Sequence, residues 1–433
     1  MKKLTRALIL CCLMASGGVS AREYHDESTE EHKKKSDLPD RLTIGGYGEV
    51  ALQRMFYSDN VARYTHPDVY RNDSHGRFDL PHVVIFLSYD FGKGWKMSSE
   101  LEYEHGGTGS TYEIENSEAG EYETEIEKGG EVAFEQFWIE KSWNDRTNLR
   151  AGHIVVPVGL MNQHHLPTEF FSVIRPEGGT EIIPNTWHQT GISFWGRTRS
   201  WRYEAQFISG LDAERFNNAN WVKGGANSPY EFEIANRYAG VLRIDNYSVK
   251  GLRLGLSGYY GQTAQNTLKQ ERYQNIKGNL AIGSLDFTYN ANNILARGNF
   301  LYGHLGDSKQ LSNTNKKLPS ASPSPRTDIA SDAMSYFAEV GYDLLSFFPG
   351  CKHKEDKLYV FGHYGFYDPM KKTESGVSKK KWTKKTVISG GVNYFPMDGL
   401  VVKAEYQMRK LNSPYNNEPT LSIGVAYAGL FGK

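Results

Sequence analysis

The chain has 433 residues with 50 Lys+Arg against 50 Asp+Glu, so it lacks the basic excess with which a nucleic-acid binder displaces counterions. Forty-four glycines, 27 tyrosines and 21 phenylalanines sit in a chain whose mean hydropathy is only −0.57. A soluble core does not need that mixture; an all-β transmembrane antiparallel barrel does, because only every second strand residue meets lipid.

Lys2, Lys3 and Arg6 precede an apolar stretch, Ala7 to Met14, and a small-residue site, Val19-Ser20-Ala21. This reads as a signal peptide over residues 1–21, too short in its apolar part to span a bilayer as a helix. Neither Cys11 nor Cys12 follows a small residue, which argues against lipidation, and with Cys351 they are the only cysteines, so no disulfide framework is available. Residues 22–40 form a charged leader with almost nothing to bury. A barrel domain is expected over 41–433.

From residue 41, period-2 patterning and β-branched or aromatic enrichment mark sixteen strand candidates. They are 41–56, 76–91, 94–105, 130–143, 146–156, 187–197, 200–211, 235–245, 250–261, 279–290, 293–304, 333–345, 356–368, 384–395, 399–411 and 418–431. Odd-numbered links are mostly long and polar. Even-numbered links are mostly tight, such as Gly92-Lys93, Asn144-Asp145 and Ala291-Asn292. This alternation of long outer loops with short periplasmic turns is the barrel signature, and an even strand count puts both termini on the short-turn side. On that reading Ser117 and Asn227 lie in outer loops.

The strands alternate as a wall between lipid and water should. Strand 399–411 sets Leu400, Val402, Ala404, Tyr406 and Met408 against Val401, Lys403, Glu405, Gln407 and Arg409. Strand 94–105 sets Trp95, Met97, Leu101 and Tyr103 against Lys96, Glu100, Glu102 and Glu104. Strand 130–143 breaks the rule: Phe137 and Ile139 lie opposite Phe134 and Trp138, so its face stays unassigned. Phe91, Trp95, Trp143, Trp201, Tyr247, Tyr289, Phe347, Phe348, Phe395 and Phe431 lie beside the short turns and read as an interfacial girdle. Charged residues expected to line the interior are Lys96, Glu100, Glu102, Glu104, Arg202, Arg253, Arg297, Glu339, Lys403, Glu405 and Arg409.

The link 157–186 (PVGLMNQHHLPTEFFSVIRPEGGTEIIPNT) carries too many apolar residues for a free loop and is expected to fold into the barrel and narrow it. Its polar residues Asn162, His164, His165, Glu169, Arg175, Glu177 and Glu181 are the expected constriction. The stretch LRAGHIVVPVGL (149–160), with Asn162, His165, Pro167, Phe170, Arg175-Pro176-Glu177, Ile182-Ile183-Pro184 and Thr186-Trp187, resembles the phosphate-selective porin O and P family of the Bacteroidetes type. The resemblance implies a sixteen-stranded outer-membrane porin, a homotrimer, whose third loop forms the constriction. It also implies outer-membrane lipid, lipopolysaccharide and small polar solutes or ions as partners. One departure matters. The alternation gives eight inward basic residues against eleven acidic ones, not the arginine excess that anion selection needs.

Adjacent His164 and His165 point opposite ways in an extended segment, and Glu100, Glu102 and Glu104 read as solvated wall, so no metal site and no cofactor are expected. The acidic stretch 112–131 and the lysine run 379–385 read as exposed loops, and the Ser/Pro/Asn-rich 305–332 as mobile. No nucleophile elbow, zinc spacing or phosphate cradle occurs, and His153, His304 and His363 have no catalytic partner nearby in sequence. The expected function is passive diffusion without catalysis. The alternatives are a phosphate- or anion-specific channel, and a barrel enzyme or adhesin.

Overall fold

A computed structural model describes residues 41–432 apart from 72, 106–111, 117–121, 127–130, 227–232, 268–269, 320–321, 349 and 351–355. The signal peptide, the leader, Cys351 and the loop positions Ser117 and Asn227 therefore lie outside the described residues. The strands are β1 Leu42–Met55, β2 His75–Asp79, β3 His82–Gly92, β4 Trp95–Glu104, β5 Tyr112–Asn116, β6 Tyr122–Ile126, β7 Glu131–Asn144, β8 Thr147–Val155, β9 His188–Arg197 and β10 Trp201–Ser209. They continue as β11 Tyr238–Asn246, β12 Leu252–Gln262, β13 Asn279–Ala291, β14 Ile294–Leu305, β15 Asp332–Asp343, β16 Lys357–Lys372, β17 Lys385–Met397, β18 Leu400–Lys410 and β19 Glu418–Gly432.

Seventeen of these form one antiparallel sheet, and β5–β6 make a separate hairpin. The sheet closes when β1 pairs with β19, from Ile44 opposite Gly432 to Met55 opposite Thr420. β2 and β3 both lie along β1 and occupy one position, interrupted at Leu80-Pro81 where proline offers no N–H to the ladder. The result is a closed all-β barrel with sixteen positions. Closure leaves no unpaired edge, which is what a strand wall in lipid requires.

The alternation read from sequence sets the two faces. On β11, Leu242 is 66% exposed while the next residue, Arg243, is 1% exposed. β7 explains its own irregularity. A bulge places Glu135 and Gln136 together opposite the Glu100–Leu101 step of β4, so the register shifts by one. Phe134 and Phe137 both come out to the exposed face, ring centroids 6.4 Å apart, while Trp138 and Glu140 are buried inside.

Two sequence expectations are corrected, and a third, the exposed lysine run, holds at Lys379, Lys380 and Lys381 but not at its end. Phe395 is not in the outer girdle: it shares the inward parity of Val387 and Asn393 and packs edge-on against Tyr359 at 6.0 Å. Within 305–332 lies a helix, α1 Ser308–Lys316, which buries Leu311, Ser312 and Asn315. Asn315 joins it to Tyr273 Oη at 2.7 Å and to the Ala213 carbonyl at 2.9 Å, so three long links form one packed cap with Leu211, Trp221, Ile276, Leu311 and Ile329 in its core. The lysine run is also anchored. Trp382 stacks on Tyr64 at 4.5 Å, and Lys385 reaches Glu418.

Candidate functional site in the barrel interior

The segment 157–186 leaves the long-loop end of β8 and runs inward. Its backbone polar groups need partners once removed from water, and the wall supplies them. Leu160 N donates to Asn299 Oδ1 at 2.9 Å, and Val173 N donates to Glu405 Oε2 at 2.9 Å. Lys403 Nζ donates to the carbonyls of Phe170 and Ser172, each at 2.8 Å, with its charge 4.1 Å from the Phe170 ring centroid. Arg243 reaches the Gly159 carbonyl at 3.1 Å. The segment's apolar residues divide between two burials. Ile182 and Ile183 join the cap core, whereas Phe170 packs with Leu160, Met161 and Phe337.

Two wall glycines make this approach possible. A Cβ on Gly341 would lie 2.3 Å from the Phe171 ring, and one on Gly365 would lie 2.4 Å from the Glu177 carbonyl oxygen. A side chain at either position would push the segment off the wall.

Within the segment, Asn162 acts as an internal brace: its Nδ2 donates to the Val158 carbonyl and its Oδ1 accepts from Trp187 N. His164 lies 3.5 Å from Glu169, while His165 packs edge-on against Tyr47 at 5.8 Å, so the two rings do have different neighbours. Burial, with Arg175 alongside, pulls His165 down to about 3, and its ring is neutral. Burial raises Glu169 to about 8. Glu181 accepts from the backbone N–H groups of Gly178 and Thr180. Glu177 meets Arg409, Gln407 and Tyr367.

The wall residues expected from sequence are all on the inward parity, but they are arranged as two different environments. Arg253 sits between Asp245 at 2.8 Å and Asp286 at 2.7 Å, and Arg243 bonds the same two carboxylates. Arg202 pairs with Glu204, and Arg297 pairs with Glu339, which also faces His363 at 3.6 Å. Across the ring, β1, β4 and β7 bring together Glu49, Glu100, Glu102, Glu104 and Glu135, with β3 between β1 and β4. The cations near this group are His82, whose Nδ1 lies 2.6 Å from Glu102, Arg175 from the segment, Arg150 toward Glu100 and Lys403 toward Glu49. Lys96 lies on the same face, opposite Asp90. β4 and β14 are eight positions apart, half of the ring. The basic residues around β11–β14 are thus matched by carboxylates, while the β4–β7 wall carries an acidic excess.

Sequence reasoning missed Glu135, Tyr47 and His82 in this group, and the buried Arg150–Glu140 pair on β8 and β7. The signal for Glu135 was the broken alternation of β7, which a bulge at a charged residue restores.

No protein-family model matches the chain. An uncharacterized protein of Aquifex aeolicus (strain VF5) is 27% identical over 381 residues, covering 87% of this chain and 78% of that one. Among solved structures, the chain is similar to an anion-selective porin from Comamonas acidovorans, with TM-score 0.50, 12% identity, and 90% and 99% of the two chains covered. It is also similar to the outer membrane channel DcaP of Acinetobacter baumannii and to OmpF of Salmonella typhi in complex with daunomycin. Both give TM-score 0.51, 10% identity, and 90% and 97% of the two chains covered. At these identities the likeness establishes a shared porin-like barrel fold.

Proposed function

We propose that this chain is an outer-membrane porin: a water-filled channel for passive diffusion of small polar solutes or ions, narrowed by residues 157–186. The observation that carries the reading is the closed sixteen-position wall with an apolar exterior and charged residues on its inner face. That polarity is inverted relative to a soluble barrel and is stable only with lipid outside. The likeness to channel-forming barrels supports the same reading. Lys96, Glu100, Glu102, Glu104, Arg202, Arg253, Arg297, Glu339, Lys403, Glu405 and Arg409 are the proposed lining. Asn162, His164, His165, Glu169, Arg175, Glu177 and Glu181 are the proposed constriction. The finer resemblance, to the phosphate-selective porins O and P and to a trimer, rests on the motif at 149–187. Phosphate selectivity is disfavoured, since the interior arginines are matched by Asp245, Asp286, Glu204 and Glu339.

Planar-bilayer recording tests the function. Folded protein should give step-like, ohmic insertions. Folded protein that inserts without conducting, or that hydrolyses lipid or peptide, would overturn the reading in favour of a barrel enzyme or adhesin.

A further inference from the structure

The β7 bulge, the β4 carboxylate row and the inward segment converge on one point. One ligand atom from each of Glu100, Glu135 and His165 lies within 4.8 Å of the others. We propose that these three side chains form a binding site for a divalent cation of the zinc class.

Each of the three is held by a neighbour. Tyr47 Oη donates to Glu135 Oε2 at 3.1 Å, and Gln136 Nε2 donates to Glu100 Oε2 at 2.8 Å. His165 Nδ1 faces the Asn162 carbonyl at 3.3 Å. A carbonyl only accepts, so the proton sits on Nδ1 and the Nε2 lone pair is the metal-binding face of the ring. Glu135 is fully buried; no amide, hydroxyl or cationic donor reaches its Oε1, and its remaining side-chain neighbour is another carboxyl, Glu100. Two adjacent buried carboxyls need a shared proton or a cation between them, and a metal ion ligated by both supplies the latter.

Charge points the same way. Glu49, Glu100, Glu102 and Glu135 converge here around Arg175, whose Nε and Nη2 make no hydrogen bond, with Arg150 acting on Glu100 and Lys403 on Glu49. Four carboxyls are crowded together here, and a bound divalent cation would offset the mutual repulsion of their ionised forms. One imidazole with two carboxylates is the donor set of a borderline cation, since calcium and magnesium take oxygen alone. Zinc bonds of about 2.0–2.2 Å hold tetrahedral ligands roughly 3.3–3.6 Å apart, so the trio closes by about an ångström, within the reach of two glutamate side chains. Glu100 is half-buried, which leaves a coordination position for water. Bound metal would tie the inward segment, through His165, to β4 and β7. A second trio, His82, Glu102 and Glu104, lies beside it on the same strand face. There Nδ1, the His82 nitrogen that faces both carboxylates, already bonds Glu102, so it is the weaker neighbour.

The site rests on wall and segment geometry and holds whether or not the barrel conducts. Calorimetry with Zn²⁺ on the detergent-folded full barrel reads it without a bilayer. Wild type should bind one Zn²⁺ per chain saturably, and Glu135→Gln and His165→Gln should each weaken that affinity at least tenfold. His304→Gln, an exposed histidine near the rim, should leave it unchanged. His165→Gln lies outside the wall and keeps the test open if Glu135→Gln does not fold. A second measurement uses wild type alone: Cu²⁺ at the site should show one coupled imidazole nitrogen by electron paramagnetic resonance. Absence of saturable Zn²⁺ binding, wild-type affinity in His165→Gln, or tighter binding of Ca²⁺ than of Zn²⁺ would each overturn the proposal.

Discussion

Glu177 and Arg409 are 232 residues apart in the chain and meet face to face inside the barrel, with Arg409 Nε 3.0 and 2.9 Å from the two carboxylate oxygens. Glu177 also accepts from Gln407 at 2.8 Å and from Tyr367 at 2.9 Å. The pair fastens the inward segment to β18. Burial alone would raise this carboxyl, yet Arg409 holds it down at about 2.

Replacing Glu177 should free the segment. Removing one partner of a buried pair costs about 3–5 kcal/mol, because the other charge is left stranded. Glu177→Gln should therefore raise single-channel conductance and its noise at neutral pH. Unchanged traces would mean the pair does not hold the constriction.

The same pair sets an acid limit. A depressed carboxyl contributes its stability above its unfolded value, about 4.3, and loses it as pH falls through about 2. Wild-type conductance should climb between about pH 4 and pH 2. Glu177→Gln should change less over that window, having lost the titrating group. Equal acid responses would place the transition elsewhere.

Deleting the segment tests its role directly. A Cβ on Gly159 would sit 3.7 Å from Ile183 Cδ1, so the two ends of the excursion are neighbours and a short linker can rejoin them. Excising residues 162–182 should raise conductance several-fold in a barrel that still folds. A refolded deletion with wild-type conductance would show that the segment lies off the conduction path.

Selectivity should follow the acidic wall. Glu100→Gln, Glu102→Gln and Glu104→Gln together keep size and polarity and remove charge from the β4 face. The reversal potential in a potassium chloride gradient should move from a weak cation preference toward anions. The shift should be largest at low salt, where screening is least. A strongly anion-selective wild type would contradict the charge arrangement.

The β7 bulge makes a prediction that plain alternation does not. Phe134 and Phe137 are both on the exposed face, at 55% and 45%. Phe134→Arg and Phe137→Arg should each destabilise the folded barrel in lipid, by up to about 2–4 kcal/mol at the midplane. Urea unfolding in vesicles reads this. Without the bulge one of the two substitutions would face the interior and be tolerated.

The wall was legible in the sequence because a membrane barrel writes its two faces as strict period 2. Leu242 and Arg243, or Tyr406 and Glu405, announce lipid and interior from adjacent positions, and tight turns at Gly92-Lys93 or Ala291-Asn292 mark where the chain reverses. The composition of 157–186 also demanded burial. What pairwise patterning cannot carry is a contact between distant segments. Nothing local tells Glu177 that Arg409 lies opposite, or Gly341 that it must stay small for Phe171. The same holds for α1 and Tyr273, which turn a polar link into part of a cap. Glu135 shows the limit most sharply. One extra residue in β7 turns an apparently irregular strand into a regular one. That bulge was settled by pairing with β4, and only closure of the ring brought Glu135 beside Glu100, Tyr47 and His165.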